Sequence, residues 1–246
     1  SPDTIPVAWG WFQFLLLLTF PLHLLAMNAM LGGLAICVVQ HLRGGELRTK
    51  LAHRIAVALP LVIAFVVNLG VAPLLFLQVL YGHFAYTSSI VMGLFWISII
   101  PVLIIAYYGA YLYDFRFSQL GKFGLLIGII VFGLLLIIGY FFSNNMLLMT
   151  LPEKFSYYFH HMDGSMLVSG NDQFLPRYLH MMVGALAVGG LFVALLGRFK
   201  AIEDPALAEH ASKVGMGTFA WLSIVNAGMG VWYLLAIEKE TMMLFM

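Results

Sequence analysis

The chain has 246 residues, of which 62% are hydrophobic and 9% are charged, and its formal net charge is +1. A soluble domain carries roughly 25% charged residues, so this composition excludes a soluble globular protein and indicates an integral membrane protein. No basic run suggests a nucleic-acid partner, and we expect none. The single cysteine, Cys37, lies in an apolar stretch and is expected to be a small packing residue.

Six apolar stretches are long enough to cross a bilayer as helices, because each crossing needs about 20 apolar residues and lipid satisfies no backbone hydrogen bonds. The predicted spans are 9–40, 55–81, 89–113, 121–143, 178–197 and 214–237, and a loop is predicted over 144–177. The predicted fold class is therefore all-α, a polytopic helical bundle forming one membrane domain over 1–246. The first span is longer than a bilayer requires, so we expect it to tilt, to kink at Pro21 or to protrude. The start, Ser1-Pro2-Asp3, lacks the basic segment of a secretory signal, and this span is expected to be retained.

The basic residues predict the orientation, because loops on the cytoplasmic side carry an excess of Lys and Arg. Nine follow the first, third and fifth spans: Arg43, Arg48, Lys50, Arg54, Arg116, Lys122, Arg198, Lys200 and Lys213. Three lie on the opposite side: Lys154, Arg177 and Lys239. Both termini and the loop 144–177 are therefore predicted to face outward. A loop of that length in a compact protein is typically functional or covers a partner surface.

Two segments of the chain are similar to each other. His23 is followed at nine and ten positions by Gly32-Gly33, and His180 is followed at the same spacing by Gly189-Gly190. The spans that come next contain a second similar pair, offset by 158 positions: Val67-Asn68-Leu69-Gly70 and Val225-Asn226-Ala227-Gly228. This similarity favours a parallel repeat of helices 1–2 and 5–6, related by an axis along the membrane normal. Chance or shared packing needs are the alternative.

The two histidines are predicted to lie at the same depth. His23 is twenty residues before Arg43 and His180 is eighteen before Arg198, so both are roughly 27–30 Å from the inner basic residues. An ionisable residue inside the membrane is a functional candidate by default, and a neutral imidazole can ligate iron. The alternative for each histidine is a polar group satisfied by a neighbouring helix. For the glycine pairs, the alternative is helix–helix packing.

The remaining polar residues are weaker candidates. His83 lies at the outer end of the second span, close in depth to the two main histidines. Three histidines beside the basic loops are expected to face solvent or headgroups: His41, His53 and His210. No acidic residue lies within the predicted spans, which disfavours hydrolysis and transport driven by intramembrane carboxylates.

Several segments are similar to one family: Gln13-Phe14, Phe20-Pro21-Leu22-His23, Asn68-Leu69-Gly70-Val71-Ala72, Tyr81-Gly82, Asn144-Asn145-Met146, Tyr178-Leu179-His180 and Gly197-Arg198. Over most of its length the chain resembles the N-terminal six-helix part of subunit I of cytochrome bd quinol oxidases, or a divergent b-type cytochrome related to it. The resemblance implies that His23 corresponds to the haem ligand of the oxygen-reducing site. It also implies that His180 corresponds to the ligand that holds the low-spin haem b together with a methionine.

The chain also departs from that family. Gln78 stands where the family has a glutamate near the high-spin haem. The six spans are not accompanied by the family's quinol-binding loop or its later helices. The resemblance therefore implies haem b, one or two per chain, without oxygen reduction.

The function predicted from these residues is a haem b-binding subunit of a respiratory electron-transfer complex in a prokaryotic inner (cytoplasmic) membrane. It would pass electrons between quinol or quinone and an extracytoplasmic redox partner; whether it is an enzyme in its own right is left open. The predicted partners are other subunits of the complex, with a c-type cytochrome as a candidate, quinone and the lipid bilayer. The predicted cofactor-binding residues are His23, His180, His83, Gly32, Gly189 and Gln78, with His23 and His180 as iron ligands and no catalytic residue. The alternatives are a haem-free anchor or assembly subunit of a redox complex, or a small transporter.

Overall fold

The computed structural model describes residues 7–199 and 202–243. The start of the chain, Ser1-Pro2-Asp3, and one of the basic residues used to predict the orientation, Lys200, lie outside the described residues. Within them, the chain forms helices and no strand, and six helices are long and apolar enough to cross a membrane. The predicted fold class, an all-α polytopic membrane protein, is confirmed.

The α-helices, in chain order, are α1 (Trp9–Arg43), α2 (Glu46–Leu80), α3 (Gly82–Val91), α4 (Gly93–Phe115), α5 (Phe117–Leu120), α6 (Lys122–Leu148), α7 (Phe174–Arg198), α8 (Pro205–Ala236) and α9 (Lys239–Met243). A 3-10 helix, Pro152–Phe159, lies between α6 and α7. The six long apolar helices are α1, α2, α4, α6, α7 and α8. Helix α1 runs unbroken through Pro21 for 35 residues, or roughly 52 Å, so its excess over the bilayer core of about 30 Å requires tilt or protrusion.

The ends of the helices follow local chemistry. Helix α1 stops at Gly44 and Gly45, whose φ angles of 62° and 92° lie in the left-handed region that glycine adopts without a steric penalty. Helix α8 begins after Asp204, whose carboxylate accepts hydrogen bonds from the backbone N–H groups of Ala206 (3.0 Å) and Leu207 (3.3 Å). This cap explains why α8 begins nine residues before the predicted span.

The loop between α6 and α7 is shorter than the predicted 144–177, because α6 continues to Leu148 and α7 already begins at Phe174. The polar residues at the end of α6 stay helical because their buried side chains bind their surroundings. Asn144 accepts a hydrogen bond from the Val168 N–H at 2.9 Å, and the Asn145 amide donates to the Ser89 hydroxyl at 3.3 Å. Asn144 and Asn145 are therefore part of α6, and Asn144 binds the backbone of the loop that follows.

The third predicted span, 89–113, is divided between two helices. A break at Met92 separates α3 from α4, and only α4 is long enough to cross the membrane. At this break the Leu94 N–H donates to the Gly164 carbonyl of the loop at 3.0 Å. Gly164 has a φ of 66°, and a Cβ there would lie 2.9 Å from the Leu94 nitrogen, so only glycine allows the loop to approach α4 this closely.

Four helices form the part of the bundle that contains both histidines. Helices α1 and α2 pack as one pair, α7 and α8 as another, and α1 packs on α7 between them. Helices α4 and α6 form a third pair alongside. We call the end of the bundle with Arg43 the inner end and the end with Trp9 the outer end. In α1 and α8 the buried residues lie toward the inner end: α1 has none before Met30, and α8 has none after Gly215.

Candidate cofactor site at two equivalent histidines

His23 and His180 make the same contact with the helix that follows them. The Nδ1 atom of His23 lies 3.0 Å from the carbonyl oxygen of Val66, and the Nδ1 atom of His180 lies 3.1 Å from that of Asn226. A carbonyl oxygen only accepts, so Nδ1 must carry the hydrogen and donate it. In the neutral form of each imidazole the lone pair is therefore on Nε2. A ring held through Nδ1 with Nε2 available is the usual arrangement of a metal-ligating histidine.

A glycine lies against each imidazole. A Cβ on Gly70 would be 2.8 Å from Cε1 of His23, and a Cβ on Gly230 would be 3.0 Å from Cε1 of His180. Each glycine lies one helical turn beyond the carbonyl that accepts the hydrogen bond. Any side chain at these positions would press on the ring, so the bare backbone helps to set its orientation.

The equivalence extends over both helix pairs. The histidines are offset by 157 positions, whereas Gly70 and Gly230 are offset by 160, as are the two acceptor carbonyls. The paired geometry supports the predicted parallel repeat of helices 1–2 and 5–6, which here are α1–α2 and α7–α8.

The second helices of the repeat, α2 and α8, are related in the structure by an offset of 160 positions, whereas the sequence similarity predicted 158. The sequence similarity pairs Asn68 with Asn226 and Gly70 with Gly228. In the structure, Asn68 is exposed and its amide donates to the Ala64 carbonyl of its own helix at 2.8 Å, whereas Asn226 faces Gly184. A Cβ added to Gly228 would have no neighbour within 4 Å, so this glycine does not meet the histidine.

Gly32 and Gly189 pack against each other. A Cβ on Gly32 would lie 2.6 Å from the Cα of Gly189 and 2.9 Å from the Leu186 carbonyl oxygen, and a Cβ on Gly189 would clash with Gly32 in turn. Contact between two equivalent residues places them on the axis of the repeat. This face is occupied by the neighbouring helix, which favours the packing alternative for both glycines over direct contact with a cofactor.

The other predicted site residues are less closely connected to the histidines. Gln78 is half-buried on α2, eight residues beyond Gly70. His83 is exposed on α3, which packs on α2, α4 and α6. Within residues 7–199 and 202–243 neither side chain makes a hydrogen bond to the protein. Hydrogen bonds within the described residues therefore do not link either side chain to His23 or His180.

The three histidines near the basic loops divide into two groups. His53 is exposed, as expected. His41 and His210 were also expected to face solvent or headgroups, but each lies at hydrogen-bonding distance from another side chain. His41 Nδ1 lies 2.8 Å from the Tyr113 hydroxyl, and His210 Nε2 lies 2.9 Å from Oε1 of Gln40.

The donor set at His23 and His180 fits a haem rather than a bare metal ion. Both side chains are half-buried, and the positions of α1 and α8 toward the outer end are at most half-buried, so the four helices are not closed around the imidazoles. Within the described ranges, no three His, Cys, Asp or Glu side chains converge to hold a bare metal ion. Haem iron takes only its axial ligands from the protein, and single imidazoles with an available Nε2 supply such a ligand.

Sequence reasoning missed the two acceptor carbonyls and Gly230. A backbone carbonyl carries no side-chain signal, so Val66 and Asn226 could not be identified by residue type. Gly230 could have been found as the glycine on the following helix at the depth of His180. Asn226 has a further property: its side-chain Oδ1 is buried and has no hydrogen-bond partner within the described part of the chain.

No protein-family model, no curated protein and no solved structure matches the chain. The fold defines the protein as a multi-pass, all-α membrane protein. The resemblance to cytochrome bd subunit I rests on the short segments shared with that family and remains a prediction.

Replacing Gly230 by alanine is expected to displace the His180 ring while leaving the fold intact. The new Cβ meets the end of a flexible side chain, which can rotate away, so the free energy of unfolding should fall by only about 1 kcal/mol, the lower end of the usual cost of overpacking. The hydrogen bond to Asn226 would be lost. The ¹⁵N spectrum of histidine-labelled protein in lipid would show this as a changed Nδ1 signal. Gly228→Ala, two residues earlier on α8, is the matched control. An equal change of the Nδ1 signal in both variants would contradict the contact between Gly230 and His180.

Proposed function

We propose that the protein is a haem b-binding membrane subunit of a respiratory electron-transfer complex. In this proposal it passes electrons between quinol or quinone and an extracytoplasmic redox partner and does not itself reduce oxygen. The observation that carries the proposal is the repeated geometry of His23 and His180, with Nδ1 bound to a backbone carbonyl and Nε2 available. One such histidine is readily explained by packing, but two equivalent ones in equivalent surroundings favour a shared chemical role.

The residues of the chain would act on the cofactor through position and polarity. His23 and His180 would hold the haem iron through Nε2, and the carbonyls of Val66 and Asn226 would hold each ring in the ligating tautomer. The hydrogen bond from Nδ1 would also make Nε2 a more basic ligand. Gly70 and Gly230 would leave room for the rings in this orientation. When bound, haem b supplies one-electron redox chemistry at its iron, at a potential tuned by axial ligands and burial.

Three further parts of the proposal rest on the resemblance. Gln78 replaces the family's glutamate, which removes an acidic group that oxygen chemistry would use. The location, a prokaryotic cytoplasmic membrane, follows the family. The partners proposed are the remaining subunits of a membrane redox complex, with a c-type cytochrome as a candidate on the outer side. The quinone is the proposed small-molecule partner.

The test is a haem assay on the purified protein. We expect a reduced-minus-oxidised absorption spectrum with a b-type α-band, and a pyridine haemochrome assay that yields one or two haems per chain. Protein expressed with excess haem precursor and still lacking haem in the pyridine assay would overturn the proposal.

A haem-free anchor or assembly subunit is the second candidate, and a specific observation favours it. The Nδ1 hydrogen bonds already satisfy one polar atom of each ring, so each histidine also has a packing role between two helices. This candidate predicts no haem in the pyridine assay together with stable co-purification of redox subunits. It also predicts that an asparagine, which can donate the same hydrogen bond, replaces either histidine without loss of assembly.

A further inference from the structure

A second polar site lies at the inner end of the bundle, on the opposite side of the membrane-spanning region from the paired histidines. It is an open cavity of about 530 Å³ between the beginning of α2 and the turn from α5 to α6. The polar and aromatic residues that line it include His41, Thr49, Lys50, His53, Phe117 and Ser118. Nothing in the electron-transfer proposal uses these residues.

Phe117 holds the two imidazoles of this cavity in place. Its ring centroid lies 4.6 Å from that of His41 and 4.9 Å from that of His53, with interplanar angles of 31° in both cases. Phe117 itself is 5% exposed and packs on Tyr113. Both imidazoles therefore pack against a buried aromatic ring, a contact that histidines on a freely solvated loop would lack.

The buried Tyr113 hydroxyl sets the hydrogen-bonding role of His41. Nδ1 of His41 lies 2.8 Å from this hydroxyl, and the Cys37 sulfur lies 3.5 Å from it, while the thiol hydrogen has a nearer acceptor in the Ala52 carbonyl at 3.1 Å. Nδ1 of His41 is both nearer than the sulfur and the stronger acceptor, so the tyrosine hydrogen points to Nδ1 and the imidazole hydrogen is on Nε2. His41 can thus offer an N–H donor to a bound group.

The lining of the cavity has one lysine and one glutamate, and further basic residues lie close to the lining residues in the sequence. Basic residues flank the lining residues in the chain: Arg43, Arg54, Arg116 and Lys122. Within residues 7–199 and 202–243 the salt bridges are Lys50–Glu46 (2.8 Å) and Lys213–Glu209 (2.7 Å), so these four cations have no acidic partner there. Glu46 is the acidic residue of the lining, and Lys50 already offsets its charge.

We propose that this cavity binds the phosphate of an anionic phospholipid headgroup. The lining supplies donors of the kind that phosphate oxygens accept: the Lys50 ammonium, the imidazoles, and the Thr49 and Ser118 hydroxyls. Basic pockets between membrane helices at the cytoplasmic end are suited to anionic headgroups. Helix α6 begins next to Gly121 of the lining, and its first turns have the exposed apolar side chains of Phe123 (60%) and Leu126 (47%), which the acyl chains would contact.

The test compares lipid binding by the full chain and its variants. Delipidated protein in neutral detergent is titrated with phosphatidylglycerol or phosphatidylcholine, and bound lipid is counted by native mass spectrometry. We expect preferential binding of phosphatidylglycerol, weakened about fivefold by Lys50→Gln or by His53→Gln. Lys213→Gln is the matched control, because Lys213 is also an exposed inner-end lysine paired with a glutamate four residues before it. This control should leave binding unchanged.

Three results would overturn the proposal: equal binding of the two lipids, equal loss in Lys50→Gln and Lys213→Gln, or displacement of the lipid by millimolar inorganic phosphate, which would make free phosphate the ligand. His53 is exposed, so His53→Gln keeps the test decisive if Lys50→Gln fails to fold. The readout does not involve haem, so the lipid site and the electron-transfer proposal can fail separately.

Discussion

Gly32→Ala is expected to lower the free energy of unfolding by roughly 3 kcal/mol or more, since it overpacks a contact between two backbones. The new Cβ would lie 2.6 Å from the Cα of Gly189 and 2.9 Å from the carbonyl oxygen of Leu186. No side chain is available to rotate away, so α1 and α7 would have to separate. Their separation would disturb both helix pairs, because this contact joins them.

Gly33→Ala, the next residue on the same helix, is the control. A Cβ there would meet only the Cγ2 atom of Ile55 at 3.8 Å, an ordinary van der Waals distance. Unfolding in mixed micelles, followed by tryptophan fluorescence as the denaturing detergent increases, measures both variants against the parent protein. If Gly32→Ala unfolded at the same detergent fraction as Gly33→Ala, Gly32 would not lie at a close contact on the axis of the repeat.

The number and type of the membrane helices could be predicted because lipid leaves few alternatives. A long stretch without charge, such as 55–113, must cross the bilayer as helices, and the basic residues that interrupt the apolar stretches locate the turns. The depth of the two histidines followed from the same residues through the helical rise. The shared contacts of His23 and His180 agree with that prediction of equivalence.

What could not be predicted depends on contacts between distant parts of the chain. The polar pair Asn144 and Asn145 suggested the start of a loop, but tertiary hydrogen bonds keep both residues within α6. Asn68 and Asn226 looked equivalent because of their similar neighbours, although only Asn226 lies next to a glycine of the histidine-bearing helix, Gly184. Residue type and spacing do not distinguish a side chain that faces a helix from one that faces lipid when the whole segment is apolar.

The two ends of the bundle differ in how closely α1 and α8 are packed. Toward the inner end the four helices are close-packed through glycine contacts such as Gly32–Gly189 and Gly190–Gly215. Beyond the histidines, toward the outer end, α1 and α8 contain no buried residue. A tightly packed region below two half-buried imidazoles gives them a rigid base, which a redox site needs to keep its ligand geometry.

Loss of haem is the largest functional effect that we expect. His180→Gly and His23→Gly should each abolish binding of one haem if the protein holds two, and either should abolish all binding if one haem takes both ligands. The pyridine haemochrome content distinguishes these cases. His53→Gly, an exposed histidine at the opposite end of the bundle, should retain the haem content of the parent protein.

Free imidazole separates loss of the ligand from loss of the fold. Each glycine variant leaves a space beside an unbound carbonyl, Val66 in one case and Asn226 in the other, where an added imidazole can donate the same hydrogen bond and present its second nitrogen to iron. Added imidazole is therefore expected to restore the b-type α-band in His180→Gly and in His23→Gly. If both variants keep the parental haem content without imidazole, the two histidines are not ligands. Their shared geometry would then serve only to join each pair of helices.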